Sequence, residues 1–542
     1  MKAIGPRRGL LITGSVLALL LGAACSSNPS SSQSENAGQP QQSTGGQSAG
    51  TPDAAPSDAT ITLALLSDPN SLDPQLTSQN AVQIPGVQMF EGLYAFDSKK
   101  VPQLMLAKSA DVTEDGRKYS FTLRDVKFQN GKKLTGKDVV ASLERAISIP
   151  GSPASQLTRL KVKVSSPADD QVTIEFPDPV GALPSILASY QSVILPAESV
   201  ENAGIKPIDK SKIIGTGPYQ LGKWEPGRMI VLDRYDGYQS VDSPSDGNAG
   251  SKKALIKSLK FIPVSDAGSR LSGVRTGQYQ WADQMTADLY GSLAKDPAIQ
   301  VGLQESGFTA LYFNHKWGPT KDPKVRRAIQ LAVDHQAVAL TQGPEETWKV
   351  TPELPNSKSP FASKAGTENF NAHDVEKAKQ ELAASTYKGE ELRILSTAGS
   401  PTGKAMVVVA EQLKAIGLNV KLDQMDLVTG QKVRAQESGW SLAGGLEGGQ
   451  IPDATQLPDI PCGNGMGGYC SDAMNAAVDE FAEAMTEQTR QQAHDKVQTL
   501  YYDDVVSLKL VETYRVQVVS TKLKNYHGEV YPLFWNVSLE SK

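Results

Sequence analysis

Three short segments of this 542-residue chain carry side chains in spacings that can do chemistry. Ser385 to Lys388, STYK, sets a hydroxyl and an amine three residues apart, the S-x-x-K pattern of penicillin-interacting serine enzymes. That chemistry needs K-T-G and S-x-N elements in a fixed order, and neither follows; a G-x-S-x-G elbow is absent too. Gly217 to Lys223, GPYQLGK, has the glycine and lysine spacing of a phosphate loop, but Trp224 stands where a Ser or Thr must hold the metal. Cys462 and Cys470 bracket a short glycine-rich run, PCGNGMGGYC. The five histidines form no close pair, so the pattern offers no metal site and calls for no cofactor. The sequence therefore argues for binding rather than catalysis, with a secreted serine hydrolase centred on Ser385 as the enzymatic alternative.

The ends say where such a protein works. Lys2, Arg7 and Arg8 precede an apolar run from Leu10 to Ala24, with small residues before Cys25. This reads as a signal peptide over 1–24, since the run falls short of the roughly 20 residues a spanning helix needs. LGAAC resembles the lipobox of bacterial lipoproteins, which predicts a diacylglycerol thioether on Cys25; Gly22 departs from the commoner large aliphatic. PRRGLL fits either a twin-arginine signal or an ordinary basic n-region. Residues 25–59, rich in Ser, Gln, Gly and Pro, read as a lipid-anchored flexible linker reaching roughly 30 Å. The expected location is the outer face of the cell membrane. The formal charge of −5 becomes −8 once the three leader cations are removed, and this dispersed acidity argues against nucleic acid. In an oxidising compartment Cys462 and Cys470 can pair, closing a loop worth roughly 2.5 kcal/mol in the chain-entropy model.

The remaining stretch of about 480 residues exceeds one hydrophobic core. β-Branched and aromatic runs predict strands at 60–66, 118–123, 171–176, 229–234, 258–264, 310–314, 392–396, 419–425 and 514–520. Amphipathic spacing predicts helices at 136–147, 322–341, 374–384, 402–416 and 472–504. Asp322-Pro323 is a start signal and Gly417 a stop. The alternation is α/β.

Six motifs in order carry a resemblance: SDPNSLDP from Ser67, EGLYAFD from Glu91, DGRKYSFTLRDVKFQNGKKLTGKDVVASLERA from Asp115, GTGPY from Gly215 with Trp224 and Pro226, and, from Ala310, ALYFNH running into DPKVRRAIQLAVDHQAV. Together they resemble bacterial extracellular solute-binding proteins of family 5, the lipoprotein receptors of oligopeptide, dipeptide and nickel ABC importers. The resemblance implies a two-lobed, periplasmic-binding-protein-like α/β clamp of class II with an additional small domain and hinge crossovers. Carried over, lobe I comprises 60–90, 212–312 and 505–542, the accessory domain 91–211 and lobe II 313–504, with crossovers near Asn314 and Asp504. Glu91, Tyr94 and Phe96 read as packing and turn residues, and Arg326 and Arg327 as surface or ion-paired ones.

The same resemblance implies a monomer that delivers a peptide or other small solute to an ABC permease; a sensing or adhesion lipoprotein using the same clamp is the alternative. It sets Ser67, Asp68 and Asn70 against the segment after Trp440 as opposite walls, with Trp440 covering an apolar side chain of the ligand and Gly445, Tyr312 and Asn314 as further contacts; Trp281, in GQYQWA, reads either as a cleft aromatic or as a core tryptophan. Peptide binders of this family usually place an aspartate three residues beyond the tryptophan, where this chain has Ala443. Glu447 and Asp453 are the nearest acids able to hold a ligand ammonium. A ligand without an ammonium also fits the loss of that aspartate.

Overall fold

The computed structural model describes residues 55–77, 79–449, 451–460, 462, 466–528 and 531–540. The expected signal peptide, Cys25 and nearly all of the linker lie outside the described residues.

Strands Ser57–Leu65 (β1), Tyr94–Phe96 (β2), Pro102–Leu104 (β3), Ala107–Val112 (β4), Lys118–Leu123 (β5), Lys163–Ala168 (β6) and Gln171–Glu175 (β7) come first. Tyr219–Glu225 (β8), Met229–Arg234 (β9), Ile256–Pro263 (β10), Trp281–Met285 (β11) and Ile299–Phe313 (β12) follow. Trp348–Lys349 (β13), Leu392–Thr397 (β14), Val420–Met425 (β15), Leu442–Gly448 (β16) and Ser507–Ser520 (β17) complete the larger sheets. Most strand expectations coincide with these bounds. The residues expected at 310–314 and 514–520 are instead ends of two much longer strands.

Among the described residues, one sheet runs β15-β14-β16-β12-β17-β11-β1-β10-β9-β8, with β13 also on β17. Its spine is β12 and β17, of 15 and 14 residues, against a usual five or six. From Ile299 to Glu305, β12 pairs only with β17, whose far edge carries β11. From Gly307 to Phe313, β12 holds β17 on one side and β16 on the other. The register slips by one residue at Ser306 on β12 and again at Leu510 on β17, which are bulges that bend and twist a paired strand. Gly307 sits at φ +115°, and a Cβ there would strike the Glu447 carbonyl, so glycine alone fits this bend. Asn314 directly follows β12, and Asp504 caps the helix before β17; the change of neighbours lies deeper in both strands.

Side chains alternate across this spine. Leu311 and Phe313 join a core with Ile329, Val409 and Leu442, beneath helix Pro401–Ala415. Ala310 and Tyr312 join another with Trp440, Met474 and Val497, beneath helices Asp472–Glu483 and Glu487–Asp503. Those two helices were expected as one. Thr486 divides them by capping Thr489, its hydroxyl accepting from that backbone N–H. The helix expected over 322–341 likewise splits into Pro323–Ala332 and His335–Ala339, because Asp334 caps Gln336 and Ala337. Asp322 caps the first of them as its sequence suggested, accepting from Lys324.

A second sheet, β4-β5-β7-β6, is antiparallel and packs Phe121, Val172 and Ile174 against Val139 and Leu143 of helix Gly136–Ser148. The same helix is fastened to the first motif. Arg145 grips Asp73 with two nitrogens at 3.1 and 2.6 Å and also donates to Gln75 and to the carbonyls of Gly204 and Lys206. Both partners are buried, so removing either one strands a charge. We expect Arg145→Met to lower unfolding stability by about 3–5 kcal/mol, read as a lower urea midpoint with an unchanged slope; a shift under 1 kcal/mol would refute this role.

Candidate functional site

A cleft of about 1920 Å³ opens between segments 147–161 and 177–191 on one side and 446–458 and 475–483 on the other. Its depth reaches the bend of the spine at Glu305 and Arg515. At that bend Glu305 accepts from Lys100 at 2.7 Å and pairs with Lys358 at 3.3 Å. Lys100, in the β2–β3 turn at φ 62°, also donates to the Asn356 side chain and the Gly449 carbonyl. A buried ammonium with three acceptors is satisfied, and it pins the tail of β16 that forms the cleft wall.

Glu447 lies on that tail, opposite Phe308. It lines the cleft, and its carboxyl makes no hydrogen bond or ion pair with any described residue. Burial, and secondarily the charge of Asp459, push its carboxyl up to about 8. Asp459 stands behind it, buried, with Oδ2 unpartnered and its own pKa raised by burial. Two acids in one low-dielectric patch each favour the protonated form.

The other expected contacts are elsewhere. Trp440 is only 1 % exposed and gives its indole N–H to the Gln436 carbonyl, so it fills the core rather than covering a ligand. Asp453 caps the turn at Ala454–Gln456, accepting from Thr455 and Gln456, which turns it away from the cleft. Tyr312 and Gly445 are buried cross-strand neighbours, the tyrosine ring lying where a Gly445 side chain would be. Asn314 bonds the Glu437 and Trp440 carbonyls and the Lys316 and Trp317 amides, tying off the end of β12. Trp281 is fully buried, its N–H shared between Gln517 and Tyr526. Ser67, Asp68 and Asn70 do not line the cleft, and Asp68 instead accepts from the Gly227 amide. Cys462 and Cys470 form a disulfide, and Cys462 lies on the cleft wall. Ser385 donates to the Leu382 carbonyl and accepts from the Tyr387 amide at a helix end, an arrangement for closing a turn and not for attack.

Comparison with known proteins fits this geometry. The model of the bacterial extracellular solute-binding proteins, family 5 (middle), matches residues 101–465. The chain belongs to this family. It is a family of solute-binding proteins, not of enzymes. A probable peptide ABC transporter periplasmic-binding protein, y4tO of Sinorhizobium fredii, is 26% identical over 89% of this chain and 94% of its own length. The glutathione-binding protein GsiB of Salmonella typhi is 26% identical over 71% of this chain and 75% of its own. The fold matches the periplasmic binding protein DppA from Helicobacter pylori in complex with the peptide STSA, with a TM-score of 0.73 and 20% identity over 89% of this chain and 98% of that one. The large mixed sheet of this family 5 protein is thus that of a two-lobed clamp.

Sequence reasoning brought Glu447 into view and missed Lys100, Glu305, Asp459 and Arg515. The Glu447 carboxyl titrates near 8 in the folded protein against an ordinary 4.5. Its proton therefore favours the fold fully below about pH 4.5, and that contribution is lost as pH rises through 8. Glu447→Gln should melt with wild type at pH 4.5 and above it at pH 9 in ligand-free protein; equal melting temperatures at both values would exclude a perturbed carboxyl.

Proposed function

We propose that this protein captures a small solute bearing an ammonium group, an oligopeptide, and presents it to the permease of an ABC importer. The observation that carries the reading is Glu447, a partly buried carboxyl with no counter-ion among the described residues, in the wall of a large cleft. An ammonium there replaces the proton that burial and Asp459 impose, and the carboxylate then gains the charge-assisted bond the free protein lacks. The relatives whose names mention peptide or glutathione support the class, since both ligands carry a free amine.

Closure follows from the spine. Lobe I is assigned 60–90, 212–312 and 505–542, the accessory domain 91–211, and lobe II 313–504, with the crossovers near Asn314 and Asp504 as the hinge and the bulges at Ser306 and Leu510 close beside it. Two bulged strands that change neighbours at one level absorb a rotation with little loss of pairing. The protein acts as a monomer tethered through a lipid on Cys25, and the acidic, unclustered surface gives nucleic acid no role. Cys25→Ser should move the protein from the membrane fraction to the soluble fraction; retention on the membrane would remove the lipid tether.

The ligand class is tested by thermal shift. A peptide mixture should raise the melting temperature in proportion to RT ln(1 + [L]/Kd), and the same mixture N-acetylated should not. Glu447→Gln should weaken the binding peptides by about 2 to 5 kcal/mol. Equal shifts from free and acetylated peptides, or an unchanged Kd in Glu447→Gln, would show that the amine is not what the cleft reads.

A further inference from the structure

The cystine at the cleft wall also reaches the crossovers. Cys462 lines the cleft beside Asn475, and the two are joined twice. The Cys462 amide donates to the Asn475 side-chain oxygen at 3.3 Å, and the Asn475 side-chain nitrogen donates to the Cys462 sulfur at 2.9 Å. Its disulfide partner Cys470 is exposed and directly precedes Ser471, which caps helix Asp472–Glu483.

Residues 466–470, which this cross-link closes back onto Cys462, lie against both crossovers. The amide of His315, one residue past Asn314, donates to the Gly467 carbonyl at 2.7 Å. The Tyr469 hydroxyl donates to the Asp504 carboxylate at 2.5 Å. Between these two bonds the His315 ring meets the Tyr469 ring edge-on at 5.2 Å and gives Nε2–H to the Val506 carbonyl at 2.9 Å. Gly467 sits at φ 79°, and a Cβ there would come within 1.9 Å of the Phe313 carbonyl, so the segment meets the end of β12 backbone against backbone. No salt bridge among the described residues reinforces this seat. The run between the cysteines is rich in glycine, and joining its ends removes much of the entropy that opposes its order.

We propose that the Cys462–Cys470 cystine is a thiol-reactive clip: opening it frees residues 466–470 from both crossovers and weakens closure of the clamp on its cargo. That last step rests on the crossovers being the hinge. The reductant is a low-molecular-weight thiol. Its thiolate attacks the exposed Cys470 sulfur, the S–S bond breaks, and the electron pair leaves on the Cys462 sulfur, where the Asn475 N–H already stands to receive the charge. A second thiolate attacks the thiol-derived sulfur of the mixed disulfide and frees Cys470. Two thiols are thereby oxidised to one disulfide, and the two cysteines are reduced and take up the two thiol protons.

The test treats the native full-length protein with mercaptoethanol, traps free sulfurs with iodoacetamide, and follows backbone hydrogen exchange and peptide binding. Peptide mapping should find Cys462 and Cys470 alkylated while the protein remains folded. Segments 313–317 and 503–507 should then exchange faster, with helix Pro323–Ala332 unchanged. Affinity for the binding peptides should fall about 10- to 70-fold, the upper figure being the whole of the loop-closure entropy. Replacing both cysteines, Cys462→Ser with Cys470→Ser, should reproduce the fast exchange without thiol and abolish the response to it. A cystine that resists thiol until the protein melts overturns the proposal, as does alkylation that leaves exchange at both segments unchanged. Faster exchange with an unchanged Kd overturns the step from clip to closure, and with it the crossovers as the hinge. Failure of the oxidised protein to bind any peptide defeats the peptide reading alone, because alkylation and exchange still decide the clip. Thiol treatment of wild type is decisive even if the double variant does not fold.

Discussion

Backbone pairing between β12 and β17 is the constraint on which the rest depends. An extended strand must satisfy its amides and carbonyls along its whole length, and these two meet that need along one edge each by pairing with each other from Ile299–Ser520 at one end to Tyr312–Ser507 at the other. One ladder therefore belongs to both halves of the molecule. What lies to either side, β11 on one flank and β16 on the other, inherits its position from that ladder. The cleft is deep at the bend because there the spine exchanges one flank for the other, leaving Glu305 and Arg515 with no strand outside them.

Much of the fold was legible. Motif residues are bonded to one another: Glu91 of the second motif accepts from Thr216 of the fourth, and also from Tyr238 and Lys252. Such contacts recur in a fixed order because the fold requires them, so they identify an architecture without locating a site. Strand cores were visible wherever β-branched residues alternated. The long spine was not, since Gln300, Gly302, Glu305 and Gly307 break the apolar run over the first half of β12. The split helices were missed because both halves share one apolar face, and only a capping side chain marks the break.

The site was legible only where proximity in sequence carried it. Glu447 follows Trp440 by seven residues, close enough for a loop argument to include it. The loop argument nevertheless misassigned the tryptophan. Residues 442–448 form a strand whose alternation puts Ala443, Gly445 and Glu447 on the face of Tyr312, while Trp440 enters the core before that strand begins. Arg515 sits in VETYRVQVVS, which reads as an ordinary half-buried strand, and its place in the cleft follows from a bulge on a strand some 200 residues earlier. Lys100 was out of reach for the same reason, with partners 205, 256 and 349 positions away.

That lysine has a mechanical meaning. Its ammonium joins Glu305 at the bend to Asn356 and to the Gly449 carbonyl on the cleft wall. Any separation of these three segments must return a buried charge to water, and ionic strength screens buried charges weakly. The small hairpin that carries Lys100 thus fastens the bend of the spine to the wall of the cleft, in an attachment that salt does little to loosen.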